Sequence, residues 1–493
     1  MADTTTTARH EASPGNSNHL QHDGIQSNDY GAPRPNDDQE SVTTARPSDN
    51  DYNNNNHDQR NNNDLEANNP TTRINTLGAE EISSPPSFAS RSLRITWAWF
   101  PVNMSTGALA SLLANQPYTF TGLTTIGKIF YLVNLVTFIC FLGLIMARFA
   151  RKPRAISTSL HHPSESFFFG SFWVAVALLL LGVQSYGVPE CGPWLVKAVR
   201  VLFWIYYACA LCVAVFQYQV IFHAEKLVVS DAMPAWILPA YPFLVVGVLA
   251  ANIAETQPPD SAIQILIAGI CGQGLGWILA FFIYTVYLTR LINSSMPAAS
   301  VRPGMYVSVG PAAYTCAGLL SLGKQAKTIV PEGYLGITSF PVGDMWLALS
   351  VPAALFLWLL AVWFSALSSL SVLRGARKMS FSLQWWAFVF PNAGLALATI
   401  NIGQAIDSRG IRITGTVITV ILIPFWFLCV GAHARAIWNH KLLYPGEDLG
   451  VDDVNWAHDA KKEKSEQRKA DRRDNRRWTQ RMLDEKKAAQ RQE

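Results

Sequence analysis

Residues 93–434 hold only 18 Lys or Arg and 9 Asp or Glu in 342 positions. A soluble globular protein cannot be so poor in charge over that length, because it must cover its surface with polar groups. The stretch therefore has to lie in an apolar solvent. Its flanks differ. Residues 1–92 carry 6 basic and 14 acidic side chains with 15 Asn, and residues 435–493 carry 15 basic and 12 acidic ones. Composition thus divides the chain into an Asn-rich tail over 1–92, a transmembrane domain over 93–440 and a charged tail over 441–493. The run from Asn50 to Asn63 cannot bury enough surface to offset chain entropy, so the first tail is expected to be disordered. With no apolar stretch in the first ninety residues, no cleavable signal peptide is expected.

A helix needs about 20 largely apolar residues to cross the bilayer core. Ten segments meet this: 97–115, 126–147, 167–184, 194–222, 234–253, 262–289, 306–324, 344–370, 383–402 and 413–434. The predicted fold is all-α and polytopic. Loops after even-numbered spans carry ten basic residues, among them Arg148, Arg151, Lys152 and Arg154. Loops after odd-numbered spans carry four, Lys324, Lys327, Arg409 and Arg412. The positive-inside rule places the even-side loops and both tails in the cytoplasm. The stretch from Asp459 reads as a charged, solvent-exposed helix.

Polar groups inside apolar spans are costly unless partnered or wet, so they point toward function. The first span contains Asn103, Ser105 and Thr106, the sixth Gln273, and the ninth Asn392 and Asn401. Such groups are more often packing contacts between helices than ligand contacts. Prolines interrupt the odd spans at Pro101, Pro234, Pro239, Pro242, Pro311 and Pro391, although Pro352 and Pro424 lie in even ones. The first and ninth spans share an echo, Phe100-Pro101 with Asn103 and Phe390-Pro391 with Asn392. A proline there frees a backbone carbonyl, which neighbours or water in a cavity must satisfy. Cations outnumber acids two to one in the domain, and no acid sits mid-span, which favours anions along the path. No Walker A sequence, His-x-x-x-His pair or Gly-x-Ser-x-Gly is present. His161-His162 reads as a surface pair, Cys209 and Cys212 as part of an apolar helix, and neither a metal nor a cofactor is expected.

Several stretches together resemble the tellurite-resistance/dicarboxylate transporter family, most closely its fungal malic acid transport proteins. They are Trp97-Ala98-Trp99-Phe100 leading into Met104-Ser105-Thr106-Gly107, His162 to Gly170, Tyr186-Gly187-Val188-Pro189, Arg200 to Tyr206, and Trp385 to Pro391. The resemblance covers roughly 93–440 and excludes the Asn-rich tail. It implies ten helices paired as five hairpins around a central path, with odd helices lining it, and a homotrimer in which each subunit has its own pore. It implies that Phe390 plugs the pore. Phe388, facing about 200° further round the helix, should not line the same wall.

The function implied is transport of a small organic anion such as malate across the plasma membrane, coupled to protons, with no enzymatic activity and no nucleic-acid partner. Glu165 is the nearest candidate for coupling, although a carboxylate at a helix start also has a structural role. Asn103, Ser105 and Thr106 are candidates to donate to a substrate carboxylate, and Lys324 to attract it at the outer mouth. Sulfite efflux or an inorganic anion channel is the rival within the family. A membrane scaffold or receptor using the charged C-terminal tail is the rival outside it.

Overall fold

In the computed structural model the described residues are 93–162, 165–224, 229–294, 296–439 and 441–443, all within one unit, Ser84–Glu493. The tail over 1–92 and the charged helix expected from Asp459 lie outside them. No strand occurs among the described residues. Among the described residues nine helices are long and apolar enough to span a bilayer. They are α2 (Leu123–Arg151), α3 (Ser166–Gly187), α4 (Pro193–His223), α5 (Pro234–Ala254), α6 (Pro259–Asn293), α7 (Ala299–Ile329), α8 (Val342–Lys378), α9 (Leu383–Ala405) and α10 (Arg409–Trp438).

The first expected span forms a shorter helix, α1 (Pro101–Ala114), behind the 3-10 turn Trp97–Trp99. Its 14 α-helical residues fall short of a full crossing, so nine spans rather than ten meet the length. Twelve of those residues are buried, so it packs against protein on all sides and does not need the hydropathy of a lipid-facing helix.

The helices form two layers. In α3, α5, α7 and α9 between 61% and 94% of the most apolar stretch is buried, against 22% to 44% in α2, α4, α6, α8 and α10. Each inner helix pairs with the outer helix that follows it. The inner ones also touch in a closed circuit, α1 to α3, α3 to α5, α5 to α7, α7 to α9, and α9 back to α1. Five hairpins thus surround one axis, and all inner helices start from the same face.

Every inner helix opens with a 3-10 stretch: Trp97–Trp99, Ser166–Phe168, Pro234–Ala240, Ala299–Ser308 and Leu383–Phe388. Three then enter α-helix on an aromatic-proline pair, Phe100-Pro101, Tyr241-Pro242 and Phe390-Pro391. Proline suits a first helical turn because its missing N–H would be unbonded there in any case. The carbonyls around these breaks are met by buried tyrosines. Tyr206 donates to Pro242 O at 2.7 Å, Tyr218 to Trp236 O at 3.0 Å, Tyr284 to Ser308 O at 2.5 Å and Tyr314 to Phe390 O at 3.3 Å. Tyr241 donates to Val307 O. Without water, each such carbonyl must be paired within the protein.

Polar side chains fasten the layers. Gln273 on α6 accepts from Gly247 N at 3.0 Å and donates to Thr315 at 2.9 Å, joining α5, α6 and α7. Asn401 joins α9 to α7 through Ala317 O and Ser321. Gly170 permits close approach of α3 to α5, since a Cβ there would collide with the Leu238 carbonyl.

Candidate functional site: an occluded axial path

Two cavities lie on the axis, and each is lined by all five inner helices. The larger, with an empty volume of about 540 Å³, is bounded by the starts of those helices, including Pro101, Met104, Phe168, Leu238, Val307, Gln384, Trp386 and Phe390. The smaller, about 350 Å³, lies further along them and is bounded by Ser111, Leu181, Val248, Tyr314, Ala393 and Leu397, among others. Phe390 borders the first and Tyr314 the second. Their rings stack at 4.9 Å between centroids, 21° from parallel, so an aromatic pair stands between the two spaces. Tyr241, which also borders the larger cavity, packs on Phe390 at 5.8 Å between centroids. Phe390 is 4% exposed. Phe388 is turned elsewhere, onto Tyr306, Trp385 and Phe425.

No Lys, Arg, His, Asp or Glu lines either cavity. The field along the path therefore comes from the backbone and from charges at its ends. Pro101 and Phe390, the first residues of two α-helical segments, both border the larger cavity, so the positive ends of two helix dipoles meet it. That favours an anion without a fixed cation to hold it.

The other residues singled out in the sequence are placed as follows. The Asn103 amide donates to Asn134 O at 3.1 Å, to Asn134 Oδ1 at 3.0 Å and to Thr137 Oγ1 at 3.0 Å, all on α2. Ser105 donates to Trp386 O at 2.9 Å. The Thr106 hydroxyl donates to Val102 O at 2.8 Å and accepts from Trp426 on α10 at 3.0 Å. None of the three lines a cavity, whereas Met104 between them does. Lys324 is exposed near the end of α7, and the structure does not bring it together with them.

Glu165 lies at the turn into α3, buried away from both cavities. It accepts from Arg148 at 2.9 Å and Ser159 at 2.7 Å, while Arg148 also donates to Ile95 O at 2.7 Å. His162 departs from the expected surface pair: it is buried, and its Nδ1 accepts from the Glu165 backbone N–H at 3.1 Å. The turn into α3 folds over it, which a local reading of two polar residues in a loop does not capture. No group of three or more His, Cys, Asp or Glu suited to a metal occurs among the described residues.

Sequence reasoning missed Tyr314, Tyr241, Gln384 and Trp386. The tyrosines read as ordinary apolar filler, and no local pattern in the sequence sets them apart. Gln384 borders the larger cavity with a buried side-chain oxygen that has no partner.

A multi-pass bundle whose buried helices enclose an uncharged path with positive dipole ends has the build of an anion-conducting membrane protein. The chain belongs to the family described as voltage-dependent anion channel, which it matches over residues 94–434. It is 32% identical over 363 residues to a malic acid transport protein of Schizosaccharomyces pombe, covering 73% of this chain and 82% of that protein. It is 30% identical over 336 residues to a sulfite efflux pump of Arthroderma benhamiae, covering 67% and 87% respectively. An uncharacterized transporter of Methanocaldococcus jannaschii is 23% identical over 352 residues, covering 70% and 95%.

Proposed function

We propose that this protein moves malate or a similar C4-dicarboxylate across the plasma membrane with Phe390 as its gate and with protons as the coupled ion. The observation that carries the gate is the Phe390–Tyr314 stack between two axial cavities. Rotation of one ring would join the two spaces. The malate relative supports the substrate. Gln384 is the polar side chain at the larger cavity whose amide remains available to a carboxylate, and Lys324 draws anions to the far mouth. Asn103, Ser105 and Thr106 then hold the wall in place, because their groups are already committed to neighbouring helices. Glu165 belongs to an ion-paired clamp rather than to a proton path.

Both termini lie in the cytoplasm on this reading, 93–440 is the transport domain between two soluble tails, the protein is a homotrimer with one path per subunit, and it catalyses no chemical reaction. Uptake of labelled malate into proteoliposomes, with and without an inward proton gradient, tests the substrate and the coupling. Uptake that rises with the gradient supports both. The sulfite efflux relative favours a second reading, and flux carried better by sulfite than by malate would move the function there.

A further inference from the structure

We propose that His433 is the positioning residue through which protons reach the gate, its protonation releasing Trp386 and the segment that carries Phe390. The inference rests on the reading of Phe390 as the gate. His433 is buried on α10, with Nδ1 at 3.1 Å from Trp386 Nε1. An indole N–H can only donate, so Nδ1 accepts, and the neutral ring carries its proton on Nε2. That Nε2 is buried and has no partner. An unpaired buried donor is costly, and a polar residue kept within a span at such cost points to a role.

When Nδ1 takes up a proton it becomes a donor facing another donor, and the bond to Trp386 is lost. Trp386 lies in the 3-10 start of α9, four residues before Phe390, and it also borders the larger cavity. Its carbonyl is held by Ser105 at 2.9 Å. The imidazole and Ser105 thus fix the same residue from two sides, and only the imidazole hold is titratable.

The surroundings leave His433 as the group that acid would charge. The rings packed on it are Trp99, Phe381 and Trp386. On α10 itself, Cys429 lies one turn back and donates to Trp385 O at 3.5 Å, and Arg435 is exposed. The segments bearing Trp99 and Phe381 contribute only the exposed cations Arg94, Arg377 and Lys378. On α2, Arg148 is committed to Glu165. Lys441, beside the buried Leu442 and Leu443, is exposed. α2, α9 and α10 carry no Asp or Glu among their described residues.

The test measures malate flux in proteoliposomes from about pH 7.5 to about pH 3.5, a range wide enough to charge a buried imidazole. Wild type is compared with His433→Gln, Trp386→Phe and Phe390→Ala. Glutamine keeps an oxygen that can accept from Trp386 but does not titrate. Taking the ratio to wild type at each pH cancels the titration of malate itself. The His433→Gln ratio is expected to fall about five- to tenfold toward acid pH, the worth of one lost hydrogen bond. Trp386→Phe is expected to raise neutral-pH flux by a similar factor and to flatten the profile.

A constant His433→Gln ratio overturns the proposal. If that variant fails to assemble, an unchanged Trp386→Phe profile overturns it instead. Phe390→Ala separates the two readings. Raised flux in Phe390→Ala beside a constant His433→Gln ratio sinks the histidine alone, and unchanged flux in Phe390→Ala sinks the gate and the histidine with it.

Discussion

The inner and outer rings meet different solvents within one domain. The outer helices keep a mean hydropathy of 2.0 to 2.4 and leave more than half of their apolar stretches uncovered, while α7 and α9 of the inner ring have values of only 1.2 and 1.3. A helix surrounded by protein is released from the demand for lipid solubility. It can hold the prolines, glycines, 3-10 starts and amides that shape a path. The outer helices contain prolines too, Pro352 and Pro424, yet each runs unbroken through its proline. Breaks persist where neighbouring side chains can satisfy the freed carbonyls, and that occurs in the inner ring.

The most damaging way to break this contrast is to cut the clamp that ties the starts of α1 and α3 to α2. Arg148→Ala leaves Glu165 buried without its cation and should cost about 3–5 kcal/mol, read as a large drop in thermal unfolding temperature in detergent. Next, the two rings should respond differently to truncation. Leu109→Ala, fully buried in α1, should cost about 2–5 kcal/mol. Phe356→Ala, 79% exposed on α8, should stay within about 0.5 kcal/mol. Equal losses at the two sites would mean that Phe356 is covered by another subunit in the assembled protein.

Phe390→Ala should raise anion flux at least about tenfold, equivalent to about 1.4 kcal/mol removed from the barrier, in the same proteoliposome assay. The smallest effect belongs to the exposed rim. Lys128 donates to Glu190 at 2.9 Å and holds that carboxyl below the usual carboxylate range. A lowered carboxyl stabilises the fold above its unfolded-state value and loses that contribution as pH falls through the folded one. Glu190→Gln should therefore differ slightly from wild type in unfolding temperature near neutral pH and converge with it in strong acid.

Much of this architecture was legible because hydropathy reports directly on the lipid-facing layer. The outer spans were located well, although α6 and α8 run several residues past the expected 262–289 and 344–370. The inner ring was harder to read. α7 starts at Ala299 rather than 306 because its 3-10 entry, with Arg302 and Pro303, looks like loop. The Phe-Pro echo of two spans proved to be part of a recurrent break, whose third aromatic-proline member is Tyr241-Pro242. Phe390 stands out from Phe388 by its Pro391 neighbour, but only the resemblance gives it a role in the path. Asn103, Ser105 and Thr106 were visible as polar residues, but sequence does not tell which face of a buried helix meets a cavity and which meets another helix.

The tyrosines at the breaks bear on selectivity. Backbone carbonyl oxygens are the ligands that replace water around a dehydrated cation in a narrow pore. Here five phenol hydroxyls already donate to such oxygens along the inner ring, at Trp236, Pro242, Val307, Ser308 and Phe390. Of these five residues Val307 and Phe390 border the larger cavity, so a potassium or sodium ion there would find their oxygens turned toward phenols and no carboxylate in their place. An anion needs none of them. With these oxygens engaged, the wall offers little to replace a cation's hydration shell, and no charged side chain lines either cavity.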